Sequence, residues 1–77
     1  MPLFYFDIKD GPDGGPDQDG MQFPDLKTAR ATALRTLGEI ARDELPDGDC
    51  RDFHISIRDE RGAILLKATL SLRVEQT

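Results

Sequence analysis

The stretch PDLKTARATALRTLGEIARDEL, residues 24–45, decides the fold. Its apolar residues Leu26, Ala29, Ala33, Leu34, Leu37, Ile40 and Ala41 recur at steps of three and four. That spacing places them on one stripe of a helix facing a core, with Lys27, Arg30, Arg35, Glu39 and Arg42 turned to water. Asp25 is a good N-cap, because its carboxylate accepts a bond from a free first-turn amide and complements the positive end of the helix dipole. Pro24 fixes the entry. Pro46-Asp47-Gly48-Asp49 stops the helix, since proline cannot continue it and pushes its predecessor out of helical geometry. The reading predicts a helix from Asp25 to Leu45.

Outward from the helix, the period drops to two. Phe4, Phe6 and Ile8 alternate with Leu3, Tyr5, Asp7 and Lys9, as in a half-buried strand with its phenylalanines on the core. Residues 10–20, DGPDGGPDQDG, read as a long hairpin loop, because Gly and Pro oppose regular structure and Asp favours side-chain-capped turns. Met21 and Phe23 put two apolar residues on one face of a short returning strand. Beyond the helix, Phe53, Ile55 and Ile57 point inward, and Asp52, His54, Ser56 and Arg58 outward. Asp59-Glu60-Arg61-Gly62 is a compact turn, with Gly62 suited to the left-handed conformation. In the final strand Ile64, Leu66, Ala68, Leu70, Leu72 and Val74 share one face, and Leu65, Lys67, Thr69, Ser71, Arg73 and Glu75 the other. The order is strand, strand, helix, strand, strand. It implies an α+β class domain: a two-layer ββαββ unit in which a four-stranded antiparallel sheet carries one helix across one face.

Seventy-seven residues hold one domain and one modest core, of roughly 3 to 5 kcal/mol net stability. Chains this small often add a disulfide, a metal or a second subunit. The single cysteine, Cys50, excludes an internal disulfide and suits a reducing compartment. Leu3 to Ile8 is too short for the core of a secretion signal, and no segment reaches the roughly 20 apolar residues of a membrane span. A cytoplasmic protein is the expectation. Net charge is −5, and residues 1–25 alone carry Asp7, Asp10, Asp13, Asp17, Asp19 and Asp25 against Lys9. This acidic balance argues against non-specific nucleic-acid binding, which rests on clustered Lys and Arg.

MPLFYFDIKDG at the start, FPDL leading into ARATALRTLGEIARDELPDGD, and ISIRDERG followed by a long alternating strand resemble a family of small uncharacterised bacterial proteins, a domain of unknown function. The resemblance implies a compact stand-alone domain and brings no activity, cofactor or catalytic residue. The extra Gly, Pro and Asp of residues 11–17 depart from that pattern and lengthen the first loop. Residues 3–45 are also similar to the start of HicB-type antitoxins, which neutralise a small RNA-cleaving toxin. That likeness lacks the stretch such antitoxins carry before the helix, and no DNA-binding segment follows.

Three groups of residues invite a functional reading. Asp13, Asp17 and Asp19 are oxygen ligands at short spacing, as calcium needs, yet starts at Asp13 or Asp17 place Pro24 or Thr28 where an EF-hand requires a bidentate Glu. A solvated turn is the competing reading. The outward sheet face gathers Tyr5, His54, Arg58, Lys67 and Arg73. Aromatic and basic residues on an open sheet stack bases and hold phosphates in several RNA-binding modules, but Asp7, Asp52 and Glu75 share this face. A protein partner or a plain solvated face competes with nucleic acid there. Finally, His54 and Cys50 have no catalytic setting, because acidic neighbours raise a thiol pKa and no partner for the imidazole lies nearby in sequence. No P-loop, dinucleotide fingerprint or zinc motif is present, so neither enzyme chemistry nor a cofactor is expected. The modest core, the open sheet face and the strand from Leu65 to Arg73 as a possible edge point to a protein-interaction module, a homodimer or a partner of a larger protein.

Overall fold

A computed structural model describes residues 1–10, 13–44 and 50–76, with the backbone alone at Asp10, Asp13, Gly14 and Cys50. The elements are β1 (Leu3–Asp10), β2 (Asp13–Gly15), β3 (Met21–Gln22), α1 (Leu26–Glu44), β4 (Cys50–Arg58) and β5 (Ile64–Arg73). All pairings are antiparallel and the sheet runs β2-β1-β4-β5, with β3 also pairing β1. The ββαββ architecture read from the sequence is therefore the observed one, with its second strand in two pieces.

Helix α1 begins as expected. Asp25 Oδ1 accepts the Thr28 amide at 2.8 Å, and the Asp25 carbonyl accepts the Ala29 amide at 3.2 Å. The stop expected at Pro46-Asp47-Gly48-Asp49, with Leu45, lies outside the described residues. Ala29, Ala33, Leu37 and Ala41 are buried, and Leu26 and Ile40 are half-buried. Three of the four buried helix residues are alanines, so the helix can approach the sheet closely and the sheet supplies the bulk. Phe53, Ile55 and Ile57 of β4 are the largest fully buried side chains, each worth about 1.5 to 3 kcal/mol of burial. Phe23 extends this core beyond the helix, with its ring 6.1 Å from Phe4 and stacked at 5.7 Å on Phe6.

Four expectations are corrected. Leu34 is 38% exposed, because it sits at the flank of the helical stripe, past the line through Ala33 and Leu37. Met21 is 51% exposed on a two-residue edge segment, and Phe23 alone anchors the returning strand. The loop expected at 10–20 contains a strand: Ile8, Lys9 and Asp10 pair with Gly15, Gly14 and Asp13. Glycine disfavours strands through backbone entropy and the lack of a side chain to pack, and proline through its fixed φ and missing N–H, but an edge pairing needs only backbone, which Gly14 and Gly15 supply. Last, the inward row of β5 is shorter than its alternation suggests. Ile57 pairs with Leu66 and Arg58 with Ile64, so Leu65 is an extra residue and the bulge takes Ile64 out of the row. Leu66 and Ala68 pack on the core, whereas Leu70 and Val74 are 40% and 54% exposed.

The β4–β5 turn matches its reading. Gly62 has φ +88°, its amide meets the Asp59 carbonyl at 3.1 Å, and Asp59 Oδ1 accepts the amides of Arg61 and Ala63, both at 2.9 Å.

Candidate functional site

Among the described residues no element packs across the sheet face opposite the helix, and its side chains sort into a locked corner and an open depression. At the corner, β1 faces five residues, 16–20, with only three of its own, since Ile8 pairs with Gly15 and Phe4 with Met21. Asp17 closes this gap. Its Oδ2 accepts the Phe6 amide at 3.1 Å, in place of a neighbouring strand's carbonyl, and its Oδ1 accepts the amides of Asp19 and Gly20 at 3.0 and 3.3 Å. The Asp17 amide in turn donates to Asp7 Oδ1 at 2.9 Å. Arg58 binds both parts, with Nε 2.9 Å from Asp7 Oδ2 and a terminal nitrogen 2.7 Å from the Asp17 carbonyl. Its guanidinium lies over the Tyr5 ring, 4.5 Å from the centroid. Burial pushes the Asp17 carboxyl up, but the amides of Phe6, Asp19 and Gly20, with Arg58 nearby, outweigh it and hold its pKa below the usual value.

Gly20 completes the turn at φ +72°, where an added Cβ would lie 3.0 Å from Tyr5 Cε1 and 3.1 Å from Leu3 Cγ. Gly62 has the same handedness with open space around it. Gly62→Ala is therefore expected to cost about 1 kcal/mol through backbone alone, and Gly20→Ala about 2 kcal/mol, because crowding adds to the strain. Urea unfolding of the two variants checks the order; equal losses would show that the Tyr5 and Leu3 contacts carry nothing.

Next to this corner, Lys9, His54, Ser56, Lys67 and Thr69 line a shallow depression of about 270 Å³, floored by the Ile55 and Ala68 positions. Lys9 pairs with His54 and His54 with Thr69 in one row, and Ser56 pairs with Lys67 in the next. His54 Nδ1 is 3.1 Å from Thr69 Oγ1.

Of the residues expected on this face, His54 and Lys67 meet in the depression. Tyr5 and Arg58 are engaged with each other at the locked corner, and Arg73, paired with Cys50, stands at the far end of β5. Lys9 completes the basic group; its place on the outward side of β1 was legible, but its neighbours depended on the β1–β4 register. Asp17 and Asp19 belong to the pinned turn, while the side chain of Asp13 lies outside the described residues. Both Asp17 oxygens hold amides, which gives this carboxylate a structural task that needs no ion. Among the described residues no group of three or more His, Cys, Asp or Glu is placed to hold a metal.

Among the described residues strand β5 ends the sheet, and its ten residues have β4 on one side only. Ile64, Leu65 and Leu70 on it, and Val74 just past it, are exposed. Among the described residues no helix is long and apolar enough to cross a membrane.

No curated protein and no solved structure matches the chain. A family model matches over residues 3–71, from the start of β1 to within two residues of the end of β5. The chain belongs to the family described as domain of unknown function DUF6894.

Proposed function

We propose that this protein is a small, non-enzymatic, cytoplasmic self-association module in which β5 pairs antiparallel with β5 of a second copy. The observation that carries this reading is the ten-residue edge strand with exposed Leu70 on it and Val74 beyond it. Unpaired amides and carbonyls along such an edge are a template for another strand, and exposed apolar side chains beside them favour its docking.

The sequence of the strand favours a two-fold register. With Ser71 opposite Ser71, Lys67 falls opposite Glu75 twice on the open face, and Leu70 meets Leu72 and Ala68 meets Val74 on the helix side. Sliding each strand by one residue, to centre on Leu70, sets Lys67 against Arg73 and repels. A nine-residue contact is small, so association at micromolar to millimolar concentration is expected.

Sedimentation equilibrium across that range tests the reading. Lys67→Glu should abolish the dimer by opposing like charges, and adding Glu75→Lys should restore it. A monomer at every concentration, or a double variant that fails to recover, would sink the proposal. The alternative, an antitoxin-like or nucleic-acid-linked regulator acting through the open sheet face, has less support, because it needs Tyr5 and Arg58 free and each engages the other.

A further inference from the structure

We propose that the depression between Lys9, His54 and Lys67 binds a phosphate group. Three strands contribute one basic side chain each: Lys9 from β1, His54 from β4 and Lys67 from β5. Adjacent strands stand about 4.8 Å apart and successive outward residues about 6.6 Å, so the two lysine Cα atoms flank His54 and Ser56 at roughly 12 Å. Both lysines are exposed, and their side chains are long enough to converge on one anion between them; the three donors of the Lys67 ammonium can serve the anion and, in the pairing proposed above, Glu75 of the second copy.

Among the described residues the lining contains no carboxylate. Asp7, the acid beside Ser56 on this face, is held by Arg58 and by the Asp17 amide. Asp52 stands one outward position beyond His54 on β4, outside the lining. On the β2 side, Lys9 faces Gly14, which has no side chain to close the approach. Ser56 adds a hydroxyl donor, and the His54–Thr69 pair, which shares one hydrogen bond, leaves one more, the imidazole N–H or the Thr69 O–H according to the tautomer. Two ammonium groups with these two donors offer more than the two oxygens of a carboxylate can accept, and suit the several oxygens of a phosphate.

The test is a titration of the ¹⁵N-labelled protein with inorganic phosphate at constant ionic strength, followed by amide NMR. Saturable shifts centred on Lys9, His54, Ser56, Lys67 and Thr69, at least tenfold weaker in Lys9→Gln/His54→Gln, are the expected result. That double variant leaves Lys67 in place, so the strand pairing proposed above is untouched, and its unchanged spectral dispersion would exclude misfolding. Two parallel arms use a phosphorylated sugar and an oligothymidylate without terminal phosphates. Tighter binding of the sugar phosphate would identify a small-molecule source. Saturation by the oligonucleotide with no response to either small ligand would overturn the site as assigned, as would linear shifts that chloride reproduces.

Discussion

Ile55→Ala is expected to leave the chain largely unfolded at 25 °C. Ile55 has no exposed surface and sits between Ile8 and Ala68 in the sheet, in one cluster with the buried alanines of α1. Truncating a buried isoleucine costs about 2 to 5 kcal/mol, depending on how far the site collapses. Here collapse is hindered, because the surrounding helix residues are already small. A core of this size supplies roughly 3 to 5 kcal/mol in total, so the loss removes most of it. Ile55→Val should cost about 1 kcal/mol. Leu34→Ala, on the helix but 38% exposed, should stay within about 0.5 kcal/mol. Urea unfolding followed by circular dichroism checks all three, and must be run at several protein concentrations because the proposed self-association would add stability by mass action. A Leu34 effect as large as that of Ile55 would contradict the helix orientation.

Asp17→Ala is the second large effect, at about 3 kcal/mol. The substitution leaves the Phe6, Asp19 and Gly20 amides without their acceptor, and bonds to a charged group are worth about 1.5 to 3 kcal/mol where partly buried. Faster hydrogen exchange at Phe6 should accompany the drop in melting temperature. The same carboxylate sets a pH dependence. Its folded pKa is depressed, so its contribution is present above the unfolded value near 3.9 and is lost as pH falls through the folded value. Asp25, held low by the Thr28 amide and hydroxyl, acts in the same sense. Stability should therefore fall below about pH 4, and Asp17→Asn should flatten that acid limb in melts at neutral and acid pH. An unchanged acid limb in the variant would show that Asp17 is not the group that titrates.

The helix, the two inward triplets and the turn at Gly62 were legible because each rests on local periodicity or local backbone chemistry. What escaped depends on register. The alternation from Ile64 to Val74 is unbroken in sequence, yet one extra residue, Leu65, moves Ile64 out of the core row. Arg58 reads as a free basic residue until folding brings Asp7 and Asp17 to it across separations of 51 and 41 residues. Lys9 joins His54 only through the pairing of β1 with β4. The pinned turn hid behind its composition: glycine, proline and aspartate announce a loop, and nothing local announces that one aspartate stands in for a strand.

That interrupted strand bears on how many neighbours the sheet can accept. On the β1 side the outer rim is broken between Gly15 and Met21 by Pro16 and the Asp17 turn, so it offers no continuous ladder to a further chain. On the other side β5 offers ten residues. A sheet with two open rims can grow without limit, whereas this one has a valence of one. The pairing proposed through β5 would consume that valence in both copies and stop assembly at two.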